Sequence, residues 1–211
     1  MMEERHEQWL HEALGTPPAD ALARSRRRLA RWLAQTAPRL RWDAIDSPLG
    51  PLYFAVSDRG LCSLDFGAGA DLDVFLAHLD PLAHAERDPQ GLSRVAEQLR
   101  EYFAGQRQRF DLPLDLERLT PFQRGVLQAA CAIPYGAVRS YGQIAQMMGR
   151  PHASRAVGQA LGSNPIPIVI PCHRVVASDG SLGGYTGGLE KKRFLLDLEH
   201  AAAMSATTAR P

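Results

Sequence analysis

Cysteine is scarce in this chain of 211 residues, where Cys62, Cys131 and Cys172 are the only three. Three scattered thiols are too few for a disulfide framework or a four-ligand zinc cage. A zinc cage is therefore not expected, and a reducing cytoplasm is the expected compartment; no other metal and no cofactor is expected either. Long hydrophobic runs are also missing: none approaches the roughly 18 apolar residues that a membrane helix needs. The charged start, Met1-Met2-Glu3-Glu4-Arg5-His6-Glu7, lacks the apolar centre of a secretory signal. Nor is there a surplus of charge of one sign, with 24 basic against 23 acidic side chains. That balance argues against a generally basic nucleic-acid binder, but the average hides a division. Residues 1–40 carry seven basic and five acidic side chains, residues 41–115 seven and thirteen, and residues 116–211 ten and five.

The chain does contain the patterning of a soluble globular protein. Residues 5–36 have helical spacing, with an apolar patch at Trp9, Leu10 and Leu14 and another at Leu22, Leu29, Trp32 and Leu33. Gly15-Thr16-Pro17-Pro18 separates the two segments, and Arg24, Arg27, Arg28 and Arg31 face away from the second patch. Short apolar runs then begin at Trp42. Arg41–Ile45, Leu52–Val56 and Leu61–Phe66 read as antiparallel strands joined by turns at Ser47–Gly50 and Asp58–Gly60. Leu72–Leu82 and Leu92–Phe103 read as helices, and Phe110–Leu114 as one further strand. Cys62 and Cys131 sit among apolar neighbours and are expected in the core.

From Thr120 the chain becomes mainly helical. Thr120 caps a helix with Pro121 at its first position. Ser140 caps a second, Tyr141–Met148, which Gly149 ends. Arg150-Pro151 turns into a third, His152–Leu161. A helix, a short turn and another helix form the helix-turn-helix pattern, which leaves Arg155 and Gln159 on the outer side. After Asn164 and the apolar run Ile166–Ile170 comes Ile-Pro-Cys-His-Arg-Val. A thiol attacks only as its thiolate, so a cysteine beside two potentially cationic residues, His173 and Arg174, is a candidate nucleophile. By itself the triplet leaves a buried structural cysteine equally open.

Further blocks in order join these. Phe122-Gln123, Ile133-Pro134-Tyr135-Gly136, Ser140–Ala145, Arg155-Ala156-Val157-Gly158 and Asn164-Pro165 lead to Pro171–Val175. Gly183-Gly184-Tyr185-Thr186-Gly187-Gly188-Leu189, Lys192, Leu195-Leu196 and Glu199 follow it. Together they resemble the O6-alkylguanine-DNA alkyltransferases, densely over 121–199, loosely back to Trp42, and not over residues 1–40. The resemblance implies an α+β protein with a small antiparallel-sheet domain (41–115) and a mainly helical catalytic domain (116–200). A helical extension (1–40) would precede them and a disordered tail (201–211) follow.

The resemblance also implies the chemistry, which is irreversible transfer of an alkyl group from O6 of guanine in DNA to Cys172. Each molecule would act once, as a monomer on double-stranded DNA. Cys172 would be the nucleophile, and His173, polarised by Glu199, would deprotonate it through a water. Asn164 would hold the turn, and Tyr141 would donate toward the leaving base. Arg155 would replace the flipped nucleotide, with Ser140, Ala156 and Gly158 also at the DNA. Val175, Tyr185, Thr186 and Gly187 would line the base pocket. Leu127 and Leu119 stand where such proteins often carry tryptophan and glycine, which should affect packing rather than chemistry. A non-catalytic binder of alkylated DNA is the alternative, and retention of Cys172 argues against it. A thiol hydrolase is a second rival, disfavoured by the helix-turn-helix and the Arg155 block.

Overall fold

The computed structural model describes residues 19–67, 72–79 and 83–208. The segment expected to be helical over 5–14 and the break at 15–18 lie outside them. Helix α1 (Ala19–Thr36) belongs to a unit of its own that includes the chain up to Pro38. It exposes Arg24, Arg26, Arg27 and Arg28, as well as Leu22 and Trp32.

The second unit begins with a meander of β1 (Arg39–Ile45), β2 (Leu52–Ser57) and β3 (Gly60–Phe66). Both pairings are antiparallel, with Trp42 opposite Ala55 and Phe54 opposite Leu64. Ser47 and Gly50 exchange backbone hydrogen bonds at the first turn. A short strand β4 (His84–Arg87) joins the free edge of β1, giving the order β3-β2-β1-β4. Three of its four residues are exposed, so it has no apolar alternation to betray it. Helix α2 (Leu72–His78) is shorter than the pattern suggests, and α3 (Ser93–Phe103) buries Val95, Ala96, Leu99 and Tyr102. These join Leu52, Phe54 and Leu61 in one core.

Phe110–Leu114 is not a strand. It makes one parallel bridge, Leu114 to Leu61, with Leu61 N donating to the Pro113 carbonyl at 2.8 Å. Pro113 has no N–H with which to extend the ladder.

The remainder is helical and positions the site. Helix α4 (Pro121–Cys131) starts from a capping box in which Thr120 and Gln123 satisfy each other's backbone N–H groups. Ser140 and Gln143 do the same for α5 (Tyr141–Met147). Each such cap contributes about 1 kcal/mol. Gly149, at φ +68°, ends α5, and α6 (Ser154–Gly162) follows with Val157, Ala160 and Leu161 inward. Two-residue strands β5 (Arg139–Ser140) and β6 (Val175–Val176) pair in parallel, which brings the Cys172–Arg174 turn beside the start of α5. Helix α7 (Leu189–Thr208) carries Lys192 and Glu199. The expectation of a disordered tail is corrected for residues 201–208, through which α7 continues to Thr208. Ala201-Ala202-Ala203 explains this, alanine being the strongest helix former.

Two expectations about cysteine also change. Cys131 is exposed, because it ends α4, where the inward face is Val126, Leu127 and Ala130. Cys62 is half-buried and donates to the Ala55 carbonyl, and burial raises its pKa to about 11.

Candidate active site

The loop before the Cys172 turn is shaped by Asn164. Its side-chain oxygen accepts from Ile166 N at 3.0 Å, and its amide donates to the Ile170 carbonyl at 2.9 Å. The same amide reaches Cys172 Sγ at 3.0 Å. Between these anchors Ile168 is held at φ +72°, a region that β-branched residues avoid. The loop is therefore fixed by side-chain hydrogen bonds and by burial of Ile166, Ile168 and Ile170.

Cys172, His173 and Arg174 occupy a single 3₁₀ turn, and all three are buried. Burial pushes the Cys172 thiol above its ordinary value, opposed by the Asn164 hydrogen bond and the Lys192 charge. The expectation that His173 and Arg174 activate the sulfur as adjacent cations is thus corrected. Both point at Glu199 instead. His173 Nε2 lies 2.8 Å from Glu199 Oε1, while Arg174 donates through Nε and Nη2 to the two carboxylate oxygens, both at 2.9 Å. Burial also lowers the His173 pKa, partly countered by Glu199, so the ring is a neutral base. With Nε2–H directed at the carboxylate, Nδ1 carries the lone pair. Among the described residues no protein group meets Nδ1.

Glu199 is fully buried and is the hub of the network. Besides His173 and Arg174 it accepts from Tyr102 Oη at 2.8 Å and Gly136 N at 3.0 Å. Burial alone would raise its pKa, but the His173 and Arg174 hydrogen bonds outweigh that and bring it to about 2. A carboxylate depressed from an ordinary 4.5 stabilises the fold fully above that pH and loses the contribution as pH falls toward 2. The full contribution is roughly 3 kcal/mol. Denaturant midpoints of wild type and Glu199→Gln should therefore differ most above pH 4.5 and converge near pH 2. A gap that does not change with pH would contradict this role.

Lys192 is 1% exposed and donates to the carbonyls of Val175 (2.6 Å), Leu182 and Gly184 (3.4 Å). It ties β6 to the glycine-rich loop. Its pKa falls to about 8 through burial, with the Cys172 charge acting in the opposite sense. It is the cation whose field favours a thiolate at 172. A role for Lys192 or Tyr102 does not emerge from sequence reading, yet a signal exists. Lys192, Leu195 and Glu199 share one helical face, and Tyr102 lies one turn past Leu99 on the buried face of α3, where a hydroxyl needs a partner.

Cys172 opens onto a cleft of about 820 Å³. Tyr141, Arg155, Gly158, Gln159, Tyr185 and Thr186 are among its walls. Tyr141 Oη reaches toward the Gly184 carbonyl at 3.5 Å. Gly183, at φ +64°, makes this approach possible, because a Cβ there would lie 2.8 Å from the Tyr141 hydroxyl. Tyr185 Oη is buried without a hydrogen-bond partner among the described residues, and Thr186 caps the Gly162 carbonyl at 2.7 Å. Arg155 and Gln159 are exposed on α6 as expected.

Two residues expected in the base pocket stand elsewhere. Val175 is fully buried by the β5–β6 pairing and does not line the cleft; only its carbonyl is used, by Lys192. Gly187 packs against Phe66, where a Cβ would lie 2.8 Å from the ring, and is likewise not a wall. Of the residues expected at the DNA, Ser140 is engaged in its cap and Ala156 is half-buried on α6 next to Arg155.

The arrangement gives a buried thiol on a cleft wall, a neutral imidazole oriented by a carboxylate, a phenol opposite, and an exposed arginine at the rim. Residues 40–116 match the family description "6-O-methylguanine DNA methyltransferase, ribonuclease-like domain", and residues 121–201 match its "DNA binding domain". A methylated-DNA–protein-cysteine methyltransferase of Mycobacterium bovis is 43% identical over 169 residues, covering 80% of this chain and 98% of that one. Its counterpart in Methanosarcina barkeri is 45% identical over 158 residues, covering 75% and 96%. The solved structure of Mycobacterium tuberculosis OGT in complex with DNA is 44% identical, with a TM-score of 0.67, covering 78% of this chain and 94% of that one. The chain belongs to the 6-O-methylguanine DNA methyltransferase family.

Proposed function

We propose that this protein repairs DNA by moving an alkyl group from O6 of guanine to Cys172, once per molecule. One observation carries the reading: the Cys172 sulfur, 3.0 Å from the Asn164 amide, borders a cleft while the turn behind it delivers His173 to a buried Glu199. A thiol whose pKa is raised by burial does not ionise unaided near neutrality, so it needs a base. His173 supplies one. A water between Sγ and Nδ1 would carry the proton, because Sγ takes its protein hydrogen bond from Asn164 and Nδ1 takes none among the described residues. The thiolate then attacks the alkyl carbon in line, forming the S–C bond as the C–O6 bond breaks. The electron pair leaves on the guanine, and Tyr141 donates a proton to it. Lys192 and Asn164 stabilise the sulfur anion before attack. No step regenerates the thiol from the thioether, which is why one turnover is the limit.

The target base must leave the duplex to enter the cleft, at a cost of a few kcal/mol. Arg155, exposed on the second helix of the helix-turn-helix and among the cleft walls, would occupy the vacated stack. The solved relative in complex with DNA supports DNA as the partner. We assign residues 41–115 to the supporting domain and 116–200 to the catalytic one, acting as a monomer in the cytoplasm, where Cys172 stays reduced. Single-turnover repair tests the flipping role. Arg155→Ala should slow repair of alkylguanine in duplex DNA at least tenfold and leave reaction with the free alkylated base unchanged. Equal loss on both substrates would remove that role from Arg155.

A further inference from the structure

We infer that α1 is an additional DNA-backbone contact, in which Arg26, Arg27 and Arg28 lie against duplex phosphates. The inference rests on DNA being the substrate and goes beyond it, since α1 lies outside both family matches, which begin at residue 40. Residues 116–211 carry a surplus of five basic side chains, and residues 41–115 a surplus of six acidic ones that opposes it. Residues 19–39 carry six arginines and one aspartate. Four of those arginines fall within Arg24–Arg28, and all four are exposed. Arg24 is paired with Asp20, the one acid of the helix. Arg27 donates to the Ala23 carbonyl, and among the described residues Arg26, Arg27 and Arg28 face no carboxylate. The five-residue segment rises about 6 Å along the helix axis. Over that length duplex DNA presents about three phosphates, both strands counted.

Another polyanionic surface is an anionic membrane. Positions 22, 29, 32 and 33, all apolar, fall within about 100° around the helix, with Ser25 the one polar position between them inside that arc. Duplex DNA is preferred to lipid because the same chain carries a family-matched DNA binding domain over residues 121–201.

The test uses the full chain and the triple variant Arg26→Gln, Arg27→Gln, Arg28→Gln, glutamine being as good a helix former as arginine. Binding to an undamaged duplex is followed by fluorescence anisotropy between about 50 and 200 mM salt. Loss of three phosphate contacts should make the slope of log affinity against log salt shallower by about 2 to 3, with at least tenfold weaker binding at the low-salt end. Lysine at the same three positions should restore most of both. Reaction with free alkylated guanine should be unchanged, which separates this contact from the chemistry. An unchanged slope overturns the inference while leaving the repair function intact. Arginine-dependent binding to phosphatidylserine vesicles with an unchanged DNA slope would also overturn it, in favour of a membrane. Failure of wild type both to bind duplex and to react with the free base would sink the function itself.

Discussion

Cys172→Ser is expected to show no detectable alkyl transfer, against one equivalent per molecule for wild type. The substitution is close to isosteric, so Asn164 can still donate to the side chain and the 3₁₀ turn has no reason to change. What changes is the nucleophile. A thiol is a far stronger acid than an alcohol and its anion is polarisable, so it suits displacement at saturated carbon. His173, whose basicity burial reduces, can deprotonate a thiol through one water but has little driving force against a hydroxyl. Gel-based single-turnover assays on a methylated duplex check this, with far-UV circular dichroism and duplex binding as controls for folding. Residual transfer by the serine variant would mean that another side chain accepts the group. The exposed Cys131 is the first to examine, although it lines a different surface depression from the Cys172 cleft.

His173→Gln should be the next most damaging change, slowing transfer by about 10²- to 10⁴-fold, the usual contribution of a general base. Glutamine retains an N–H donor for Glu199, so the carboxylate keeps its partners from Arg174, Tyr102 and Gly136. It cannot take up a proton. The sulfur must then ionise against solvent, with a pKa that burial has raised. The deficit should therefore be largest near neutral pH and shrink as pH rises toward that of the thiol. Lys192 opposes full recovery, because its pKa of about 8 means that the cation favouring the thiolate is lost over the same rise. Rate against pH, measured for both proteins on free alkylated guanine, separates these effects from DNA binding. A deficit of constant size at every pH would show that His173 acts by shaping the turn and not as a base.

The parts of this molecule legible in the sequence are local. Thr120 with Gln123, Ser140 with Gln143, and Gly149 after α5 each fix a helix end through contacts three or four residues apart. The meander of β1 to β3 is written in alternation and turn residues. The resemblance supplied Cys172, His173, Asn164, Tyr141 and Glu199, and the structure brings the sulfur, amide, imidazole and carboxylate of that set together. The misreadings are non-local. Tyr102 meets Glu199 across 97 residues, a distance over which spacing carries no information. Arg174 reads as an activating cation beside Cys172 because neighbours in sequence are easily taken for neighbours in charge, whereas its guanidinium is spent on Glu199. The resemblance makes Val175 and Gly187 pocket walls, but strand pairing turns one inward and a phenylalanine ring occupies the space beside the other. Strand β4 escapes detection because an edge strand of exposed polar residues has no hydrophobic period.

The role of Arg174 also bears on stability. A buried guanidinium paired with Glu199, donating as well to the Ile133 carbonyl at 2.7 Å, ties the Cys172–Arg174 turn to α7 and to the chain just after α4. Removing one partner of such a pair leaves an uncompensated buried charge, a loss of about 3–5 kcal/mol. Loss of activity in Arg174 or Glu199 variants is thus partly loss of fold, which makes Cys172 and His173 the cleaner probes of chemistry.

Peptide mass spectrometry decides the central claim. The protein is incubated with a slight excess of duplex carrying O6-methylguanine, digested, and the peptide containing Cys172 is measured. One methyl group on Cys172 in essentially every molecule, with Cys62 and Cys131 unmodified and no further repair on adding more DNA, is the expected result. An unmodified Cys172 alongside repaired DNA, or repair continuing well past one equivalent, would contradict it.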